Sequence, residues 1–279
     1  MSHCGRPHIS AGACPPPLPE TWPRTTLKSF VSFLLWQCEH SGFSSPRMSN
    51  SIFWLHLSQE YSYNGIGFGS QAMRTAIYTD TFDAINQRRS VKAFDPAHRF
   101  SEAEERQLLE AAIQSPTSFN MQNWRFVIVR DPELRKQIRA AAVDQAQAID
   151  ASLLIVLTAD LKAWKKSPER YWRNASPEIQ KLAVGWMVPF YEGKEQLQRD
   201  EAMRSCGIAG QTIMLAAKSM GYDSCPMIGF DPVKVAEIIN LPSDHVISFM
   251  VAVGKAMKPA WPKGGQLDLA EVVVENHFA

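Results

Sequence analysis

Two stretches of the chain leave little freedom in how it folds: "SLLIVLTA" (152–159) and "HVISFMVAVG" (245–254) are apolar almost without a break. A strand with one wet face alternates polar and apolar side chains. An unbroken apolar run of strand length belongs to a strand covered on both faces. Both runs therefore read as interior strands of one sheet with helices packed against it. "WRFVIVR" (124–130) alternates and is β-branched, so it reads as a third strand. "LAEVVVEN" (269–276) reads as a possible fourth.

Helix signals lie between these runs. A short helix from Phe82 delivers the residues up to Arg89. "SEAE" (Ser101 to Glu104) is a capping box, in which the serine accepts from the third amide and the glutamate reaches back. It opens a helix with Leu108, Leu109, Ala112 and Ile113 on one face, stopped by Ser115-Pro116. Asp131-Pro132 begins another, with Leu134 and Ile138 turned inward. From Met203 to Met220 the chain is apolar nearly all round, which predicts a buried helix, central or at a subunit interface, ended by a left-handed Gly221. "CPMIGFDP" (225–232) reads as a loop, followed by a helix through Ile239. The polar segment 160–199 carries Trp164, Tyr171, Trp172, Trp186 and Tyr191, either as a lid over a planar ligand or as anchors of a surface helix. With no repeat and no second core, residues 73–279 predict one domain of α+β class.

Residues 1–72 differ from this. Of the 29 Lys+Arg and 28 Asp+Glu in the chain, only Arg6, Glu20, Arg24, Lys28, Glu39, Arg47 and Glu60 fall there. Proline and serine clusters replace periodicity, so this stretch predicts an irregular or disordered extension. "FVSFLLW" (30–36) is too short to span a bilayer and follows prolines rather than a basic start. "NGIGFGS" imitates a dinucleotide fingerprint without its strand and helix, and reads as a loop. A net charge of +1 gives no sign of nucleic acid or an anionic membrane as partner. Five cysteines without metal or CxxC spacing point to no disulfide framework, no metal site and a reducing, cytoplasmic compartment.

Conventional catalytic motifs are missing: no HExxH, no GxSxG and no Walker loop. His98, His245 and His277 each stand alone, as solvated or core histidines, and Cys225 reads as a packed thiol. An enzyme without its own acid, base or nucleophile borrows the chemistry of a cofactor. "RRSVK" is the candidate anchor for one: Arg88, Arg89 and Lys92 surround Ser90, either as a solvated charged face or as a pocket for a dianionic phosphate.

Taken with "SPTSFNMQNWRFVIV", "PMIGFDPVKV" and "VGKAMKPAWPKGGQLDLAEVV", the segment "RRSVKAFD" completes a set of motifs that resembles the flavin-dependent nitroreductase family from about Thr81 onward. The resemblance implies a central, mostly antiparallel sheet flanked by helices, in a homodimer with an exchanged C-terminal arm. It implies FMN as cofactor and NAD(P)H as co-substrate, with hydride passing through flavin N5 to a nitroaromatic or quinone in ping-pong fashion. Related outcomes are a dehalogenating or ring-cleaving relative, or a flavin-binding protein without turnover. Carried onto this sequence, Arg88, Ser90 and Lys92 meet the phosphate and ribityl chain, with Arg89 beside them and Lys263 as the late basic residue, Lys258 competing. Pro116, Thr117, Ser118 and Asn120 contact the isoalloxazine, often across the dimer. Gln147 meets its pyrimidine edge, Met227 and Ile228 line the ring, and the Gly229 amide donates to N5. Ile228 stands where many members carry an acid. No side chain is implied as the catalytic acid.

Overall fold

The computed structural model describes residues 80–278; the expected irregular extension and the "NGIGFGS" loop lie outside them. In chain order the elements are α1 (Thr81–Gln87), α2 (Glu102–Ala112), β1 (Trp124–Ile128), α3 (Pro132–Ala141), α4 (Gln147–Asp150) and β2 (Leu153–Asp160). They continue with α5 (Pro177–Tyr191), α6 (Glu195–Ser219), β3 (Asp223–Met227), α7 (Pro232–Ile238), β4 (His245–Gly254) and α8 (Leu269–Val272).

The four strands form one sheet in the order β1-β2-β4-β3, every neighbouring pair antiparallel. The two apolar runs are its central strands. Along β2, Leu153, Ile155, Leu157 and Ala159 join a cluster with Cys206, Ala209 and Ile213 of α6 and Leu108 and Ala112 of α2. Leu154 and Val156 point the other way, into a second cluster with Ile138 of α3, Val235 of α7, Val91 and Phe94. Side chains alternate faces along a strand, so a run apolar at every position can only be satisfied between two layers.

Local signals hold in detail. Ser101 accepts from the Glu104 amide at 3.3 Å, and the Glu104 carboxylate accepts from the Ser101 amide at 2.9 Å. Asp131 caps α3 ahead of Pro132. Gly221 closes α6 at φ +81.

Four expectations need correction. Residues 269–276 form no strand: Leu269–Val272 is a helical turn, and the tail from there to Phe278 is exposed, with no sheet partner among the described residues. The "CPMIGFDP" loop begins as β3, whose Pro226 is tolerated because β3 is an edge strand. The buried helix is longer than predicted, starting at Glu195, and keeps an exposed face with Arg204, Gly207 and Gln211. Ile113 closes α2 half-exposed rather than inward.

In the polar segment, Trp164, Tyr171 and Tyr191 are buried, which makes them anchors of that segment. Among the described residues no helix is long and apolar enough to cross a membrane.

Candidate active site

α1 ends at Gln87, and the chain then runs extended beside β3. Ser90 bridges Ser224, and the Val91 amide donates to the Ser224 carbonyl at 3.1 Å. Val91 and Phe94 point into the core, so Ser90 and Lys92, on either side of Val91, face out. After β4 the chain turns back along the same segment. The Asp95 amide donates to Lys255 at 2.8 Å and the Met257 amide to Ala93 at 2.9 Å. This return lays the proline-rich arm beside the cations.

The result is a cavity of about 470 Å³ lined by Arg88, Arg89, Ser90, Lys92, Lys258, Trp261 and Lys263, with no carboxylate in its wall. Lys92 sits 4.5 Å from the centre of the Trp261 ring, and Lys263 donates to the Asn86 carbonyl at 2.8 Å. None of the five cations has an ion pair among the described residues. Arg88 Nη1 and Ser224 Oγ are buried there without hydrogen-bond partners. Five positive groups with nothing to neutralise them repel one another, and a buried orphan donor is costly. A multivalent anion relieves both.

The late basic residue needs no exchanged arm to arrive. Lys263 reaches the cluster of its own chain, with Lys258 in the same wall. Burial pushes the Cys225 thiol up, against the downward pull of Lys92 and Arg88, which fits a packed thiol rather than a nucleophile.

A second group lies at the end of β3. Met227 is buried, while Ile228 is 82% exposed, unusual for so large an apolar side chain. The Gly229 carbonyl accepts from Gln145 at 3.0 Å, and Gln145 in turn accepts from Gln147, which is itself buried, at 2.7 Å. The Gly229 amide has no acceptor among the described residues. Among the described residues a Cβ at Gly229 would meet only the Gln145 amide nitrogen, at 3.5 Å, so nothing there demands the glycine.

The third predicted loop goes elsewhere. Phe119, Asn120 and Gln122 take left-handed φ values of 53, 53 and 44, a strained run held from several sides. Asn120 donates to the Tyr171 carbonyl at 2.7 Å, Trp172 to the Phe119 carbonyl at 3.1 Å, and the Gln122 amide to Thr117 at 2.9 Å. Ser118 is buried with its hydroxyl unpartnered, its amide 3.4 Å from Glu201, and Pro116 is exposed. Trp124, just after this loop, stands opposite Ala159 and through it Val246, whereas Ser224 stands opposite Val253 on the far edge strand. Three strand spacings and the length of β4 between those positions separate the loop from the cationic cavity by roughly 25 Å. Within one chain the "RRSVK" segment joins β3 through Ser90 and Ser224, while this loop lies apart.

Sequence reasoning missed Gln145, Trp261 and Ser224. Gln145 follows Val143 and Asp144, both at positive φ, and no motif marks it. Trp261 sits between prolines in the arm, and its place over Lys92 follows only from the return of the chain after β4.

Residues 85–255 match the sequence profile of the Nitroreductase family. Protein DrgA of Synechocystis is 63% identical over 181 residues, covering 65% of this chain and 86% of that protein. An oxygen-insensitive NADPH nitroreductase of Helicobacter pylori is 33% identical over 192 residues, covering 64% of this chain and 89% of its own. Among solved structures, a protein assigned as a nitroreductase from Exiguobacterium sibiricum, in complex with FMN, superposes with a TM-score of 0.66 at 27% identity, covering 70% of this chain and 97% of its own. The chain belongs to the nitroreductase family.

Proposed function

We propose that the protein is an FMN-dependent oxidoreductase that takes hydride from NADH or NADPH and delivers it to an electron-poor small molecule, a nitroaromatic or a quinone. The observation that carries this reading is the cavity whose five cations have no ion pair among the described residues, with no carboxylate in its wall and a buried Arg88 donor without a partner there. A terminal phosphate is the ligand chemistry such a wall fits, since guanidinium forks, ammonium groups and a hydroxyl all donate to its oxygens. When bound, FMN supplies reversible two-electron chemistry, hydride in and hydride out.

The chain's own residues hold and orient. Arg88, Arg89, Ser90, Lys92 and Lys263 grip the phosphate and ribityl chain. Met227 and Ile228 offer the ring an apolar wall, which accounts for the exposure of Ile228. The Gly229 amide is the donor for N5, its peptide steadied from behind by Gln145. Gln147 takes the pyrimidine edge through Gln145 or by a rotamer change. Protons come from water, because no histidine stands in either group of residues.

The Pro116–Asn120 loop lies too far from its own chain's cationic cavity to share one flavin with it, which favours a homodimer in which the partner's loop completes each site. The exposed tail from Leu269, apolar at Val272, Val273, Val274 and Phe278, suits an arm that pairs with that partner.

The purified protein is expected to be yellow, to release FMN rather than FAD on denaturation, and to oxidise NADH or NADPH when a quinone is supplied. A colourless protein that FMN cannot reconstitute overturns the reading. A flavin-loaded protein that no nicotinamide nucleotide reduces overturns the enzymatic half of it.

A further inference from the structure

The cavity beside the Asn120 turn has no role in the assignment above. Its volume is about 630 Å³, and Arg125, Arg170 and Arg173 line it with no carboxylate in the wall. That size suits a small-molecule site. Arg125 is the most committed of the three: its Nη1 donates to the Gln122 and Trp124 carbonyls at 2.9 and 2.8 Å, and its Nη2 is 3.8 Å from the Asp160 carboxylate. Arg170 lies 4.8 Å from the centre of the Tyr171 ring and donates to the Tyr171 hydroxyl at 2.8 Å. Arg173 is exposed and has no hydrogen-bond or ion-pair partner among the described residues. Trp124, in the same wall and only 7% exposed, packs into the core beside Phe126 and gives the cavity an apolar floor.

The uncommitted Arg173 fork and the remaining donors of Arg170 match a carboxylate or sulfonate. We propose that this cavity takes the anionic group of a small aromatic electron acceptor, so that the enzyme favours carboxylated or sulfonated nitroaromatics and quinones over neutral ones of the same shape. This rests on the oxidoreductase reading through Asn120, which lines the cavity and which that reading sets against the flavin ring. Arg170 and Arg173 act as specificity residues, distant from the cationic cavity that grips the phosphate.

The test compares 4-nitrobenzoate with 4-nitrobenzamide, nearly the same shape without the charge, on the flavin-loaded protein. The intact enzyme is expected to favour the benzoate in kcat/KM by about tenfold, a typical size for one charge-assisted contact, and high salt is expected to shrink that preference. In Arg170→Gln/Arg173→Gln the preference disappears while flavin content and the amide rate stay unchanged. Arg170→Lys/Arg173→Lys retains part of it, because the charge remains. Equal rates for the two acceptors in the intact enzyme, or full preference in the Gln variant, overturn the proposal. So does a Gln variant whose only change is a raised KM for NADH or NADPH, since the arginines would then serve the nucleotide's phosphates. Calorimetric titration with 4-nitrobenzoate, before any turnover, separates this from the reading it rests on. Saturable heat that the Gln variant loses supports the anion site even in a protein found to lack flavin, where the oxidoreductase reading alone would fall. No heat in the intact protein overturns the site.

Discussion

Arg88 is the residue on which the phosphate reading turns, because its Nη1 is buried without a partner while its neighbours remain accessible. Arg88→Ala should weaken FMN binding by about 2 kcal/mol, the size of a charge-assisted hydrogen bond. Lys92→Ala should act in the same direction but less, since its ammonium is exposed and rests on Trp261. His98→Ala should leave flavin per folded molecule unchanged, because that ring packs on Phe100 and Tyr222 and meets Ser152 at 3.2 Å. Equal flavin in all three, measured after gel filtration, would return the cluster to a solvated face. Asp160, Asp244 and His245 offer ligand atoms close enough for a cation, but the Lys166 ammonium already bonds both carboxylates, at 2.9 and 2.6 Å. Lys166 first, and then His245, hold the Asp244 carboxyl down at about 2. A depressed carboxyl contributes stability above its ordinary value, and loses it as pH falls through the folded one. Lys166→Gln leaves the buried Asp160 with the Lys162 amide at 2.9 Å and, as charged partner among the described residues, Arg125 at 3.8 Å. It should cost about 1–3 kcal/mol at neutral pH, and the Asp244 share of that cost should vanish as pH falls from about 4 towards 2. Urea denaturation across that range checks both size and direction; a deficit that does not shrink on acidification would refute the assignment.

At the scale of elements, α6 is the support on which one face of the sheet rests, and its glycines have opposite duties. A Cβ at Gly210 would stand 2.2 Å from Phe249 Cζ and 3.2 Å from Leu157 Cδ2, so this glycine lets the helix lie close on its own sheet. It therefore faces the sheet of its own chain and not a partner helix. Gly210→Val should destabilise by about 1–3 kcal/mol through overpacking. Gly207 has nothing within 4 Å of its Cβ and lies on the exposed face. Gly207→Ala should raise stability by up to ~1 kcal/mol through helix propensity. A loss at Gly207 that deepens on dilution would instead set a second copy against that face.

The whole molecule poses the question of assembly. The Pro116–Asn120 loop stands far from the cationic cavity and the tail has no sheet partner among the described residues, so the proposed flavin site calls for a second copy. Deleting residues 268–279 should lower dimer stability and flavin retention together, read by sedimentation and absorbance. An intact protein that sediments as a flavin-loaded monomer would sink the shared-site reading. So would a tailless protein that keeps both dimer and flavin.

Much of this was already legible in the chain. The apolar runs fixed β2 and β4 as the covered centre of the sheet, because burial on two faces leaves few polar positions. The Ser101–Glu104 box and Asp131-Pro132 fixed where α2 and α3 begin, because capping is satisfied within a few residues. The cations of "RRSVK" left a solvated face and an anion pocket both open, because charge density along the chain does not tell them apart. The tertiary structure decided what depends on pairing between distant segments. β3 was hidden because Pro226 argues against a strand until its place on the sheet edge is known. The return of the chain after β4 brought Lys258, Trp261 and Lys263 to Arg88, a meeting no local pattern records. The register of four strands separated the Asn120 turn from that cavity, since distance across a sheet is set by strand order and not by spacing along the sequence.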